Sequence, residues 1–256
     1  MKSICKKISF LSDNFLLRGI LHIPAVEQGP VVIGSHGLLS SGNSPKQIEL
    51  ARRCNDFGIA FFRFDHRGCG KSEGVFKEVT SLDARRTDIL SAIETVRSQG
   101  YIGSKIGLFG SSMGGAACIS AAGTTKIDSM VVIAAPLRSR MIKRPAEKED
   151  KVEYDEKKLS FDISGKLPGI NNILIFHGDA DQVVPFSNAR ELYEKAGDTK
   201  KLIIQENGDH LMSNKAHQKE FIREAGLWFK NWLKGKAEGG RERQKGQLTE
   251  SLNRGP

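Results

Sequence analysis

The sequence lacks several features that mark common classes of protein. It contains no run of about 18 or more apolar residues, so we expect no transmembrane helix and no stable membrane insertion. Its first residues, Met1–Lys7, lack the apolar stretch of a signal peptide. Only four cysteines occur, and they are far apart with no metal-ligand spacing: Cys5, Cys54, Cys69 and Cys118. These absences predict a cytoplasmic protein with free thiols and no metal site.

Acidic residues are fewer than basic ones, 30 against 39, which gives a formal net charge of +9. Such a charge can indicate a nucleic-acid-binding protein. However, residues 215–256 hold ten Lys and Arg against five Asp and Glu, so over half of the surplus lies near the C-terminus. No nucleic-acid motif accompanies it, and we expect a solvated surface with no nucleic-acid partner. Residues 236–256 are polar and aperiodic, which predicts a disordered tail.

Short apolar runs alternate with segments of helical period along the rest of the chain. The first two runs, residues 3–10 and 15–23, predict antiparallel strands joined by a turn at Asp13-Asn14. The later runs are near-continuous, which is typical of parallel strands buried on both faces: 30–34, 59–64, 105–109, 130–134, 172–176 and 201–205. The alternation predicts one α/β domain over residues 1–235, with a mostly parallel sheet of about eight strands and helices on both faces.

Three of the predicted helices have an apolar stripe that indicates their buried face. The helix that begins at Ser44-Pro45 carries its stripe at Ile48, Ala51 and Cys54. The last helix, from about Lys215 to Lys234, is expected to bury five residues: Phe221, Ala225, Trp228, Phe229 and Trp232. Ser81 is expected to cap a further helix with a stripe at Leu82, Ile89, Ile93 and Val96.

The stretch Gly110-Ser-Ser-Met-Gly114 lies between a predicted buried strand and a helix of small residues. A Gly-x-Ser-x-Gly in that position predicts a nucleophile elbow with Ser112 at its tip. The turn is so sharp that the flanking residues must be glycine. The free N–H groups at the start of the helix favour the negative charge that develops in acyl transfer. Ser111 is the alternative nucleophile.

Further reactive side chains follow other predicted strands, and the carboxyl ends of strands are where an α/β sheet binds its ligands. His36 follows the first parallel strand, Asp179 and Asp181 follow the fifth, and His210 follows the sixth. The chain order of serine, acid and histidine is that of an α/β-hydrolase catalytic triad. Either aspartate can supply the acid on this spacing.

Four motifs occur in one order along the chain. They are His36-Gly37, Asp65-x-Arg67-Gly68-x-Gly70-x-Ser72, the serine elbow, and Gly178-x-x-Asp181-x-x-Val184-Pro185 followed by Gly208-x-His210. With them the chain resembles the α/β-hydrolase superfamily from its first strand to about Leu233, and within it the compact esterases, lipases and serine aminopeptidases.

The resemblance implies a role for each residue. Ser112 attacks the substrate carbonyl, His210 is the general base and then the acid, and Asp181 orients the imidazole. The backbone N–H groups of Leu38 and Met113 form the oxyanion hole. The family pattern places its acid four residues before the proline, which selects Asp181 over Asp179.

Other polar residues near these motifs are expected to be structural. Asp209 braces its turn, and Arg67 forms a buried ion pair. Cys69 fills space, and His217 replaces His210 only if the final helix begins later. Three further histidines are expected to satisfy nearby backbone groups: His36, His66 and His177.

Residues 136–171 occupy the place of the family's cap, which covers the substrate pocket. This segment is short and charged, with only Tyr154 and Phe161 as aromatics, and it predicts a small lid suited to modest ester or thioester substrates. Its first part holds a basic cluster of Arg138, Arg140, Lys143 and Arg144. These bases face the cleft and favour anionic esters, or the later acids of the segment, Glu147 through Asp162, neutralise them, or the cluster faces water.

We therefore predict a serine hydrolase that cleaves small-molecule carboxylic esters without a cofactor. A peptidase, amidase or thioesterase is the alternative enzyme, because the same triad serves each. A binding protein on an inactive hydrolase fold is the non-enzymatic alternative, but such proteins usually lose a triad member and none is missing here.

Overall fold

The computed structural model of the chain describes residues 4–25, 28–142 and 157–235. Eight strands form one sheet in the order β1-β2-β4-β3-β5-β6-β7-β8. β2 runs antiparallel to both β1 and β4, and the other neighbours are parallel. The sheet is therefore mostly parallel, as predicted. The strands are β1 (Ile4–Ser12), β2 (Phe15–Ile23), β3 (Gly29–Ser35), β4 (Ala60–Phe64), β5 (Ile102–Ser111), β6 (Ser129–Ile133), β7 (Ile173–Gly178) and β8 (Lys200–Gln205).

Helices connect the parallel strands. They are α1 (Pro45–Asp56), α2 (Phe76–Val79), α3 (Leu82–Arg97), α4 (Met113–Ala122), α5 (Ser187–Lys195) and α6 (Lys215–Leu233). Pro45 opens α1, and the Ser81 hydroxyl caps α3 by accepting a hydrogen bond from the Ala84 amide at 3.0 Å. The turn before β2 has positive φ at Asp13 and Asn14, the backbone that a tight hairpin needs.

The helices cover both faces of the sheet. One hydrophobic cluster packs α3, α4 and α5 against residues such as Ile33 and Leu108. The second cluster packs α1 and α6 against Val32, Phe61 and Phe109 on the opposite face. This arrangement leaves the carboxyl ends of the parallel strands open for a site.

Two expectations about the helices are wrong in detail, and one helix was not predicted. The buried face of α1 holds Gln47 and Leu50 besides Ala51 and Cys54, whereas Ile48 is half-buried. The two tryptophans of α6 lie at the edge of its buried stripe, because the indole N–H of Trp228 donates to the backbone oxygen of Asn172 at 3.1 Å. The sequence pattern gave no indication of the four-residue helix α2.

Candidate active site

Ser112 lies at the turn between β5 and α4 with φ 53° and ψ −123°. A backbone of this kind costs a residue with a side chain roughly 1–3 kcal/mol. A Cβ on Gly110 would lie 2.5 Å from the Gly114 oxygen, and one on Gly114 would lie 2.2 Å from the Ser35 oxygen. Both distances are too short for a real Cβ. The predicted need for glycine on each side of the serine is confirmed.

Ser112, His210 and Asp181 form a hydrogen-bonded row. The Ser112 Oγ lies 3.1 Å from the His210 Nε2, and the His210 Nδ1 lies 2.8 Å from the Asp181 Oδ2. The other oxygen of Asp181 accepts hydrogen bonds from the backbone amides of Val183 and Val184, each at 2.8 Å. Three residues that are far apart in sequence are thus brought together at the carboxyl ends of β5, β7 and β8.

The surroundings of the Asp181 carboxylate favour its ionised form. Burial alone raises its pKa, but hydrogen bonds from His177 and His210 and from the Val184 amide hold the pKa well below its usual range. An anion beside Nδ1 of His210 keeps the proton on that nitrogen. The Nε2 nitrogen is then free to accept the hydroxyl proton of Ser112.

The loop that carries His210 is braced at two points. The Asp209 Oδ1 accepts a hydrogen bond from the Ser213 amide at 2.8 Å, as expected for a residue that stabilises the turn. From α1, the Lys46 ammonium donates to the Leu211 backbone oxygen at 2.6 Å. The imidazole side chain is 15% exposed, so a substrate can reach it.

The amides of Leu38 and Met113 are available as donors. Neither N–H donates to any other residue within the described ranges. Met113 begins α4, where the first helical N–H groups have no partner in the helix. Leu38 lies in the loop after β3, and a Cβ added to the neighbouring Gly37 would lie 3.8 Å from the Ser112 Cβ. The loop therefore passes beside the serine.

Arg85 holds that loop from α3. Its guanidinium donates to three successive backbone oxygens, those of His36 at 2.9 Å, Gly37 at 3.3 Å and Leu38 at 3.1 Å. The side chain is 1% exposed. Within the described ranges no carboxylate lies in ion-pair distance of it. The guanidinium therefore fixes the orientation of the peptide groups around Leu38.

The sequence analysis missed Arg85, although a signal was present. Leu82 and Ile89 mark the apolar stripe of α3, and Arg85 falls three residues after the first and four before the second. A charged residue on a buried stripe needs partners for its polar atoms.

The three additional histidines have structural partners. His36 accepts a hydrogen bond from the His66 amide at 3.1 Å, and its Nδ1 lies 2.8 Å from the Gly37 oxygen. The His177 Nε2 lies 2.8 Å from the Val184 oxygen. His66 differs from the expectation, because its ring contacts the side chains of Ser35 and Asp88 instead of backbone groups.

Arg67 and Cys69 have the structural roles that were predicted. The Arg67 guanidinium is buried and pairs with Asp88 at 2.7 Å and Asp13 at 3.0 Å, which joins the loop after β4 to α3 and the first hairpin. Cys69 is buried, and burial raises the pKa of its thiol. A thiol in that state is a weak nucleophile.

The alternative site residues lie apart from the row of Ser112, His210 and Asp181. Ser111 is the last residue of β5, and Asp179 is an exposed residue at the start of the loop after β7. Neither side chain has a recorded hydrogen bond to His210. His217 lies in the first turn of α6, which begins at Lys215 as expected, and so does not replace His210.

Arg138 is neutralised by acids, which is one of the predicted alternatives for the basic cluster. Its guanidinium donates to both oxygens of Glu191 on α5, at 2.6 Å and 2.8 Å, and to Asp162 at 3.0 Å. The ion pairs join the start of the 136–171 segment to its later part and to α5. Of the other residues in the basic cluster, Arg140 is exposed, and Lys143 and Arg144 lie outside the described residues. The rest of the segment up to residue 156 and the predicted tail, residues 236–256, also lie outside them.

Two searches of the described residues bear on other kinds of site. No group of three or more His, Cys, Asp and Glu in these ranges is arranged to hold a metal ion. No helix in the same part of the chain is both long and apolar enough to cross a membrane.

Comparison with known proteins finds similarity in both sequence and fold. The family model of serine aminopeptidase, S33, matches residues 27–153, which include the elbow and end before Asp181 and His210. The structure of the esterase PF2001 from Pyrococcus furiosus superposes with a TM-score of 0.77 at 20% identity, over 90% of this chain and 91% of that one. The chain has the α/β-hydrolase fold, and its residues 27–153 are similar to that serine aminopeptidase family.

Other α/β-hydrolase structures agree with this assignment. Est1E from Butyrivibrio proteoclasticus, solved with ferulic acid bound, superposes with a TM-score of 0.75 at 20% identity, over 89% of this chain and 99% of that one. Identities of this size show the shared fold.

Relatives are also found at the level of sequence. The human palmitoyl-protein thioesterase ABHD10 is 28% identical over 218 residues, which cover 74% of this chain and 69% of that protein. The uncharacterized protein YfhR of Escherichia coli strain K12 is 29% identical over 197 residues. That match covers 73% of this α/β-hydrolase chain, and the chain spans 65% of the length of YfhR.

Proposed function

We propose that this chain is a serine hydrolase that cleaves carboxylic esters through an acyl-enzyme on Ser112. The observation that carries the proposal is the row of hydrogen bonds from Ser112 through His210 to Asp181, with the serine held at positive φ. A hydroxyl is a poor nucleophile until a base takes its proton, and the row supplies that base.

Acylation follows from the atoms that face each other. The Ser112 Oγ attacks the carbonyl carbon of the ester while its proton passes to the His210 Nε2. The electron pair moves to the carbonyl oxygen, and the resulting oxyanion accepts hydrogen bonds from the Leu38 and Met113 amides. As the tetrahedral intermediate collapses, the His210 Nε2–H protonates the leaving alkoxide, which departs as an alcohol. The acyl group stays on Ser112.

Deacylation repeats the sequence with water as the nucleophile. Water gives a proton to the His210 Nε2 and attacks the acyl carbon, and the same two amides hold the oxyanion. The imidazolium then returns its proton to the Ser112 Oγ as the carboxylic acid leaves. Asp181 stabilises the imidazolium in both halves and stays ionised throughout.

The rim beside these residues favours substrates with an apolar group. Leu39 and Leu211 are 65% and 66% exposed, and they directly follow Leu38 and His210 in the chain. Large apolar side chains that stay exposed next to a candidate site are typical of a binding surface for apolar groups. The pairing of Arg138 with Glu191 removes one cation from the predicted basic lining. We therefore expect neutral, apolar acyl esters to be preferred over anionic ones.

A panel of p-nitrophenyl esters of graded acyl length tests the proposal. We expect measurable hydrolysis and a drop of up to about a millionfold in the turnover number for Ser112→Ala. Ser111→Ala is the matched control, and it should keep most of the activity. Hydrolysis that survives Ser112→Ala, or that is lost equally in Ser111→Ala, contradicts the proposal.

Thioesterase activity is the second candidate, and the similarity to ABHD10 favours it. The oxyanion and the acyl-enzyme are the same for both ester types, but a thiolate leaves more easily than an alkoxide. Matched oxoesters and thioesters of one acyl chain separate the two, since the ratio of their kcat/KM values reports the leaving-group preference. An acyl anilide in the same panel tests the peptidase alternative.

A further inference from the structure

A cavity of about 300 Å³ lies over the outer strands of the sheet, and its lining includes no residue of the Ser112 row. Lys7 pairs with Ile20 across β1 and β2, and Ile20 pairs with Arg63 across β2 and β4. Side chains of directly paired residues project from the same face of a sheet. Arg18 precedes Ile20 by two residues and projects from this face as well. Three cations on three neighbouring strands therefore converge on the cavity.

Arg63 is buried without a carboxylate. Its side chain is 8% exposed, and burial lowers the pKa of its guanidinium. It donates to the His22 Nε2 at 2.8 Å, the Gly42 oxygen at 2.9 Å and the Asn43 Oδ1, all of which are neutral acceptors. Its Nη2 nitrogen donates to no residue of the described ranges. A buried guanidinium is normally paired with an anion.

The other cations of the cavity also lack acidic partners. The Arg18 Nη1 donates to the Ser9 hydroxyl at 2.6 Å, and Lys7 and Lys71 form no side-chain contact with a carboxylate in the part of the chain that the structure describes. Asp65 is the one acid of the lining, and its two oxygens accept from backbone amides at 2.7 Å and 2.9 Å. The lining thus carries four cations against one anion.

We propose that this cavity binds a small organic molecule that carries a phosphate group. The buried guanidinium of Arg63 and the exposed cations of the lining, Lys7, Arg18 and Lys71, would donate charge-assisted hydrogen bonds to the phosphate oxygens. Ile20 offers an apolar surface to the organic part. The volume lies at the lower end of the roughly 300–1,000 Å³ of small-molecule pockets.

Calorimetric titration of the full chain with phenyl phosphate, inorganic phosphate and benzoate tests the proposal at constant ionic strength. We expect phenyl phosphate to bind most tightly, because it fills both parts of the cavity. Lys7→Gln and Arg18→Gln should each weaken its binding by about tenfold. Both residues are exposed, so these variants remain informative if Arg63→Gln fails to fold.

Lys6→Gln is the matched control, because it removes one positive charge from the residue of β1 that directly precedes Lys7. Lys6 projects from the opposite face, where its ammonium donates to Gln99 and Tyr101 at 3.3 Å each. Its loss should leave the affinity for phenyl phosphate unchanged. The proposal is overturned if Lys6→Gln weakens binding as much as the other variants do, or if Lys7→Gln and Arg18→Gln leave binding unchanged. It is also overturned if benzoate binds as tightly as phenyl phosphate, or if no probe binds.

Discussion

Replacing Arg85 with methionine removes the guanidinium that holds the loop of Leu38 while keeping much of the side-chain volume. The change breaks three hydrogen bonds to buried backbone oxygens, at 2.9, 3.1 and 3.3 Å. At about 1 kcal/mol for each bond, we expect the free energy of unfolding to fall by roughly 3 kcal/mol. Full loss of one oxyanion-hole donor costs about 100-fold to 1,000-fold in kcat. Because the Leu38 amide is displaced and not deleted, we expect a fall of roughly 10- to 100-fold.

The assay is kcat and KM for a short-chain p-nitrophenyl ester at a temperature where urea unfolding shows the variant to be folded. A positioning role predicts a lower kcat at nearly constant KM, since the loop matters most when charge develops on the carbonyl oxygen. Arg86→Met is the matched control. Arg86 is the next residue of α3 and is partly exposed, and in the described part of the chain its one ion pair is with Asp83 at 3.5 Å, so its loss should leave kcat unchanged. An unchanged kcat in folded Arg85→Met refutes the reasoning.

Three further changes test other parts of the account. Asp181→Asn should lower kcat by about 10,000-fold, whereas Asp179→Asn, in the same loop, should leave kcat unchanged in the same ester assay. Gly114→Ala places a Cβ 2.2 Å from the Ser35 oxygen, so we expect loss of soluble folded protein, and a folded, active variant would contradict the packing described for the elbow. Burial, with the nearby Arg85 charge, lowers the pKa of His66 from 6.5 to about 4, so His66 stays neutral in the fold while the unfolded chain takes up its proton near pH 6.5. Its contribution to the free energy of unfolding is therefore complete above pH 6.5 and falls by about 3 kcal/mol as the pH drops to 4. Urea unfolding at pH 7.5 and 4.5 measures this loss. The parent protein should lose more stability between these two pH values than a His66→Gln variant does.

The positions of the strands along the chain and the elbow could be predicted because they depend on local patterns. The turn itself needs Gly110 and Gly114. Both glycines lie so close to backbone oxygens that neither position has room for a Cβ. Near-continuous apolar runs identified the parallel strands, since such strands are buried on both faces. The choice of Asp181 over Asp179 needed the family pattern, because both carboxylates lie in one loop.

What could not be predicted depends on contacts between distant parts of the chain. Arg85 is a charged residue on an apolar stripe, and only the fold shows that its partners are the oxygens of the loop after β3. Likewise, whether Arg138 faces the cleft or an acid was undecided, because Glu191 lies 53 residues further along the chain. Trp228 and Trp232 have apolar rings that a periodic pattern assigns to the core, but the indole N–H of the first needs an acceptor at the edge of the stripe.

The central claim is that Ser112 is the nucleophile, and covalent labelling tests it most directly. A fluorophosphonate reacts with a serine hydroxyl only where a base activates it, and mass spectrometry of the digested chain locates the adduct. The account predicts one adduct per chain, on Ser112, that is absent from Ser112→Ala and strongly slowed in His210→Ala. An adduct on Ser111, or no adduct on the folded protein, would contradict it.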